Sequence, residues 1–394
     1  MSQTTRSRVL FLSACAGILV FGIVLAILGT VFGLPATRAR LRISLAQQGT
    51  LFLLLYLGIF IASPLVGPLI DHLGNKANLL ASSLIVAASM VVFANAQSFA
   101  TAGGAAILLG LGGGGLNTCT NVLVSDLYQA QRGQMLNLLG IFFGIGALSV
   151  PLVAASLEGY FTIPQLFLFC AALATVCALC YGVISFPPPR TKQAFSWREL
   201  LEVAKYGGVL LLAFILFLES GNEACIAGWT STYVDATGHS PRLATLVLAS
   251  YWAALMLSRM LAARVLGGIG KSRLVVSAAF LSVGGCAVLF TARSMLLLFA
   301  GTALIGLSYG PIFPTTLAIA GDRYSQRAGT VFGLLFSIAL IGGMMFPWAV
   351  GQVSQHVSVR AGMIVPGLGA LGIVGLSLAV FFSERKSMTL PSVD

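Results

Sequence analysis

Two acidic residues one helical turn apart, inside an apolar stretch, are the side chains of this sequence best suited to chemistry. Glu219 and Glu223 lie within residues 206–234, with Ser220, Gly221 and Asn222 between them. A spacing of four puts both carboxyls on one helix face. In a low-dielectric medium adjacent carboxylates repel, so one is expected to take up a proton, which lowers the cost of enclosing the site. A sodium ion held by the carboxylates, Asn222 and a backbone carbonyl is the other chemistry this set allows, because oxygen ligands suit hard cations. Gly221 would let the helix bend or unwind at mid-span. Arg259 is the only Lys or Arg inside a predicted apolar helix. It lies about 14 Å from the helix end at 1.5 Å per residue, a depth that matches Glu219 better than Glu223. Glu219 is therefore expected to pair with Arg259, leaving Glu223 freer to bind cation or solute. The alternatives are an ion pair of purely structural role, and Arg259 as a clamp for a substrate carboxylate or phosphate.

Other polar side chains could complete a binding site. Asn117 and Asn121 stand one turn apart after the Gly112–Gly115 run, and an amide both donates to and accepts from a hydroxyl. Trp252 and Tyr309, with Asn222 and Arg259, are the binding candidates of the second half; Trp229, Tyr251 and Phe313 lie near the same depth. Such amides also join helices, and such aromatics also pack or sit at interfaces. The glycine run is no phosphate loop, since no Lys-Ser/Thr follows it. Seven cysteines all fall in apolar runs without metal spacing and are read as small packing residues; Cys177 and Cys180 form a CxxC on one helix face. His72, His239 and His356 stand at predicted membrane edges. Neither a metal centre nor a hydrolytic triad is expected, nor a cofactor beyond the coupling ion, and the chain is not expected to be an enzyme.

These residues must be held by elements that a bilayer tolerates. The 394 residues are 58% hydrophobic and only 8% charged, with mean hydropathy +0.97. Soluble domains carry about 25% charged residues, so this is an integral membrane protein. Its 45 glycines suit close helix packing and argue against a β-barrel. Apolar runs of the length a crossing needs give twelve spans, roughly 9–34, 45–70, 77–97, 99–126, 133–157, 163–186, 206–234, 242–267, 273–292, 295–320, 327–354 and 361–383. The first is too long for a signal peptide. Residues 187–205 form the one long polar connection, opened by Pro187, Pro188 and Pro189 and read as a surface segment. The expected division is a first six-helix bundle at 1–186, a cytoplasmic linker at 187–205 and a second six-helix bundle at 206–394. With the N-terminus inside, fifteen Lys/Arg fall on the inner side and six on the outer, which places both termini in the cytoplasm of a cell (inner or plasma) membrane protein. The outer Arg38, Arg40 and Arg42 run against that bias and could attract an anion.

The second half repeats the first at an offset of 196 residues. Gly110 matches Gly306, Gly114 matches Gly310, Asp126 matches Asp322, Tyr128 matches Tyr324, Gly146 matches Gly342 and Pro151 matches Pro347, without a gap from Gly67 to Pro151. Two like halves in a long apolar chain are the signature of a transporter that rocks one half against the other.

Between the second and third spans stands Gly67-Pro-Leu-Ile-Asp71-His72-Leu-Gly74-Asn-Lys76. This resembles the signature loop of the major facilitator superfamily, with His72 in place of the usual arginine. The resemblance implies an all-α fold of twelve transmembrane helices in two pseudo-symmetric bundles. It also implies alternating access, a central cavity lined by spans one, four, seven and ten, and a monomer in the bilayer. Asp71 and Lys76, Asp126 with Arg132, and Asp322 with Arg323 or Arg327 are then expected to act in gating. Within the superfamily the chain looks most like the fucose and glucose/galactose type of sugar:cation symporter. The stretches that carry this are Gly29-Thr30 with Pro35, Ala46-Gln47-Gln48-Gly49, Gly144-Ile-Gly146, Glu223 with Gly228-Trp229 and Tyr233, and Ser258-Arg259. The expected function is cation-coupled symport of a small polar solute, a monosaccharide above all, without nucleic acid. The alternatives are a proton-coupled efflux antiporter of drugs or metabolites, and an organic-anion transporter. Drug antiporters carry Gly-x-x-x-Gly-Pro in span five; here Ile145 follows Gly144 and the proline comes at Pro151.

Overall fold

The computed structural model describes residues 3–156, 160, 162–188 and 202–389. Regular structure among them is helical: α1 Gln3–Phe32, α2 Pro35–Leu41, α3 Leu45–Asn95, α4 Phe99–Leu127, α5 Arg132–Ser156, α6 Ile163–Val183, α7 Gly207–Ala236, α8 Pro241–Ile269, α9 Lys271–Thr291, α10 Met295–Arg323, α11 Ala328–His356, α12 Val359–Gly362 and α13 Ile364–Thr389, with two 3-10 turns at Gln129–Gln131 and Ser325–Arg327. Eleven of these stretches are long and apolar enough to cross a membrane, and one of them, α3, has 51 residues. At 1.5 Å per residue α3 would run about 77 Å if straight, against a hydrocarbon core of about 30 Å. Its helix breaks at Gly74, where φ is 79° and ψ 167°, so α3 supplies two spans and the total is twelve. Only glycine takes that backbone without penalty. Gly67, the other glycine of the loop, lies in helical backbone. The repeat partner Gly270 has φ of 82° and caps α9.

The duplication reaches further than residue identities suggested, because helix caps repeat as well. Ser44 accepts from Gln47 N–H and, 196 residues on, Ser240 accepts from Leu243 N–H. Ser98 and Ser294 cap α4 and α10 in the same way. Thr162 takes part in a capping box with Gln165, and its counterpart Ser358 accepts from Ala361 N–H. Each serine hydroxyl satisfies an amide that the first helical turn leaves orphaned, and Gln165 Oε1 accepts from the Thr162 N–H. The two 3-10 turns are likewise 196 residues apart.

Backbone contacts divide the chain into two units, one of Met1–Gln193 with Ala227–Ala249, the other of Ala194–Ile226 with Ser250–Asp394. Inside the first, Gly110 and Gly114 of α4 lie against Leu55, Ile59 and Ala62 of α3. Inside the second, Gly306 and Gly310 of α10 lie against Tyr251, Leu255 and Ser258 of α8. These are the same contacts at the 196-residue offset. Glycines spaced by four let backbones approach where apolar burial alone gives little drive. Similarly, a Cβ on Gly146 would run into the Leu19 carbonyl, and one on Gly342 into that of Phe217. Hence α1 and α7 correspond at an offset of 198. Most of the expected linker, residues 189–201, lies outside the described residues; Glu202 at its end pairs with Arg327 at 3.4 Å.

Candidate functional site

Three elements of the second unit carry the polar residues. Glu219 and Asn222 project from α7, Tyr251 and Trp252 from α8, and Tyr309 from α10. All five are at most 1% exposed. The helix α7 runs unbroken from Gly207 to Ala236, so the expected mid-span unwinding at Gly221 does not occur. Gly221 instead gives room to the Phe346 ring of α11, which a Cβ there would meet at 2.6 Å. Trp252 packs edge-on against Tyr251 with centroids 5.2 Å apart.

The Arg259 guanidinium reaches Glu223, at 3.5 Å, and not Glu219. The expected pairing is thus exchanged. Depth measured along the helix axis misses side-chain direction. Side chains tilt toward the N-terminus of their own helix, and α7 and α8 are consecutive antiparallel spans. Arg259 and Glu223 therefore lean toward each other across a turn. Glu223 stays half-buried. Glu219 is fully buried, and neither of its carboxyl oxygens meets a hydrogen-bond donor among the described residues. Both amide atoms of Asn222 and the hydroxyls of Tyr251 and Tyr309 likewise make no hydrogen bond of normal geometry. The Tyr309 hydroxyl sits beside the Asn222 amide and the Cys286 thiol.

The first repeat serves as an internal control for what the fold itself requires. Gly113, the counterpart of Tyr309, sits against Val24 and Phe21. At the offset of 198 these are the counterparts of Asn222 and Glu219. Leu55 stands where the second half has Tyr251, and Ser63 where it has Arg259. The same helix crossing is therefore built from Phe, Val, Gly and Leu in one half and from Glu, Asn, Tyr and Tyr in the other. Packing does not demand the polar set. Buried polar groups without partners cost about 1–3 kcal/mol each, so their concentration in one copy makes this cluster the candidate site.

Asn117 and Asn121 lie on α4, in the first unit. Asn121 Nδ2 donates to the Asn117 carbonyl at 2.8 Å and to Asn117 Oδ1 at 3.0 Å, so the two amides spend much of their hydrogen-bonding capacity on each other. Trp229 packs on Phe52, 6.2 Å between centroids, within the first unit. Two cations of the Arg38, Arg40, Arg42 group are engaged. Arg38 pairs with Asp235 at 2.7 Å. Arg40 donates to the Phe93 and Ala94 carbonyls at the end of α3, both at 3.0 Å. Arg360 treats the Phe290 carbonyl of α9 in the same manner, at 2.9 Å. These carbonyls lie in the last turn of their helices, where the intrahelical i+4 donors run out.

The gating candidates are placed as follows. Asp71 is half-buried and Lys76 exposed on either side of Gly74; Asp126 is half-buried near the end of α4, and Arg132, at the start of α5, is exposed. Asp322 pairs with Lys271 and Arg323 with Glu384, the latter at 2.6 Å, rather than with each other. Glu384 also accepts from Ser272, tying α9, α10 and α13 together. Neighbours at the end of α10 point apart here, because each faces a different helix.

Sequence reasoning grouped Tyr251 only with the nearby aromatics and missed Gly369 of α13. A Cβ on Gly369 would lie 2.8 Å or less from the Asn222 amide, so its bare Cα seats that side chain. Gly369→Ala is expected to push the Asn222 amide aside and weaken solute affinity about tenfold without lowering the yield of folded protein. Gly375→Ala on the same helix, where nothing lies within 4 Å, should leave binding unchanged; titration of both purified variants checks this. An offset comparison of the halves would have pointed to Tyr251, since Leu55 replaces it.

The model of the Major Facilitator Superfamily matches residues 9–347 and 212–392. An uncharacterized transporter of Sinorhizobium fredii is 23% identical over 362 residues, covering 90% of this chain and 94% of that protein. A multi-drug resistance efflux pump of Streptococcus pneumoniae is 25% identical over 307 residues, 75% of this chain and 77% of that one. The crystal structure of a D-xylose-proton symporter superposes with a TM-score of 0.76 at 13% identity, over 93% of this chain and 96% of its own.

Proposed function

The chain belongs to the Major Facilitator Superfamily, and from that premise we propose that it is a cation-coupled secondary active transporter of a small polar organic solute. Glu219 is the coupling carboxyl, with a proton as the ion its surroundings suit best. Asn222, Tyr251, Trp252 and Tyr309 wall the solute site, and Glu223 with Arg259 forms the adjacent neutral pair. One observation carries this reading: a fully buried carboxyl with neither oxygen hydrogen-bonded, while the nearby guanidinium is engaged by another acid. A proton, or a cation arriving from outside, resolves that arrangement in a low-dielectric medium. The transporter is proposed to work by alternating access in the cell membrane as a monomer, both termini in the cytoplasm, with Asp71, Lys76, Asp126, Arg132, Asp322 and Arg323 contributing to its gates.

Two solute classes suit the wall. A monosaccharide taken up by symport is supported by Asn222 beside buried aromatics and by the stretches that resemble sugar:cation symporters. Efflux of a drug or metabolite by exchange is supported by the relative described as an efflux pump and by the mutual engagement of Asn117 and Asn121. Proteoliposomes holding the purified protein and a pH-sensitive dye test both. Each monosaccharide and each organic amine or dye of a panel is added under a proton gradient, then under a sodium gradient. Solute-dependent proton movement supports the proposal and sorts symport from exchange by its direction. Solute movement that ignores both gradients would reject coupling.

A further inference from the structure

The unpartnered atoms of the site are unequal in what they ask of a ligand. Of Glu219, Asn222, Tyr251 and Tyr309, the atoms Glu219 Oε1, Glu219 Oε2 and Asn222 Oδ1 are acceptors, the two hydroxyls accept as well as donate, and Asn222 Nδ2 only donates, as does the Trp252 indole Nε1. The balance favours a ligand that donates. The charge balance points the same way. The charged and titratable groups facing Glu219 are Glu223, Arg259, Tyr251 and Tyr309. Arg259 and Glu223 compensate each other at 3.5 Å, and the tyrosines are neutral, so an ionised Glu219 leaves one uncompensated negative charge. Beside it stand Tyr251 and Tyr309, with Trp252 packed on Tyr251, and aromatic ring faces attract cations. In the first repeat the corresponding positions are Phe21, Val24, Leu55 and Gly113, a wall with neither the charge nor the acceptors.

We infer that the solute of this site is a protonated amine that keeps at least one N–H, bound through Glu219 with Asn222 and Tyr309 accepting further N–H bonds. This rests on the proposed transporter reading and names its substrate class. A quaternary ammonium brings the same charge but no donor, and would leave the buried acceptors unsatisfied. A site built around hydrogen bonds rejects the analogue that lacks them more strongly than an apolar pocket rejects one of wrong size. A neutral hydroxyl compound donates but leaves the charge of Glu219 unbalanced. As the ammonium seats, the Glu219 carboxyl gives its proton to water, so amine and proton exclude each other from one carboxyl and their movements are coupled as an exchange.

The test is calorimetric titration of the purified protein with 2-phenylethylamine, its N-methyl derivative, its trimethylammonium analogue and 2-phenylethanol. The two N–H amines should bind at least tenfold more tightly than the trimethylammonium analogue and the alcohol. The measured heat should change with the ionisation heat of the buffer, reporting proton release. In Glu219→Gln the preference and the proton release should both vanish. Equal or tighter binding of the quaternary analogue, equal binding of the alcohol, or no binding of either N–H amine would overturn the inference. Proton-coupled flux of a neutral solute that depends on Glu219 would then leave the transporter reading standing. Amine binding without any gradient-coupled flux would instead remove that reading and keep the amine site.

Discussion

Glu219→Gln is expected to abolish gradient-driven transport. Glutamine keeps the volume of the side chain and cannot change charge, so the carrier is held in the equivalent of its protonated state. With one proton per solute, a gradient of one pH unit supports a concentration ratio of about ten. In the variant that ratio should fall to about one. The fold should tolerate the change well, because the first repeat builds the same crossing with Phe21 at this position. Glu223→Gln should behave differently. It leaves the Arg259 guanidinium beside a neutral amide, and removing one partner of a partly buried pair is destabilising, so its first effect should be on melting temperature. Flux under an imposed proton gradient, beside melting curves of both variants, separates the roles. A Glu219→Gln protein that still concentrates solute would transfer the coupling role elsewhere.

Gly306→Val is expected to cost most of the folded protein. A Cβ there would lie 2.5 Å from the Tyr251 carbonyl oxygen and 3.1 Å from the Leu255 amide nitrogen, and backbone atoms cannot move aside as a flexible side chain can. Overpacking costs about 1–3 kcal/mol where a core adjusts, and the seam of α8 and α10 has little room to adjust. Gly110→Val should cost a similar amount, because the same contact recurs against Leu55 and Ile59. Gly375→Val, in open space, is the control. The yield of monodisperse protein by size exclusion, with melting temperature, reads all three. Equal yields across the set would mean that the seam does not hold the bundle together.

The fold was legible in the sequence because a bilayer leaves few solutions. Apolar runs bounded by charge set the spans, and the glycines marking the repeat are those that close backbone contacts require. The turn at Gly74 was visible for the same reason. The site was legible in its members and less so in its pairings. Glu219, Asn222 and Tyr309 lie near one another, and Trp252 packs on Tyr251. The partner of Arg259 was misassigned, because depth along a helix ignores a side chain's lean of several ångströms. Gly221 was read as a weak point when it is a socket for Phe346. Asp322 and Arg323 were joined because they are adjacent in sequence, although Lys271 and Glu384, on other helices, decide their geometry. Nothing local to Gly369 announces its contact with Asn222, which lies 147 residues away.

The matched seams of the two halves also bear on how such a molecule could acquire a new trade. A duplicated gene starts with two interchangeable copies, and selection needs only one of them to carry charge. Here the first half has Phe21, Val24 and Gly113 where the second holds Glu219, Asn222 and Tyr309. Mutations that write an acid or an amide into those three positions would meet a backbone already known to accept them. The silent half is a spare socket, open to laboratory evolution of a carrier with a second ionic input.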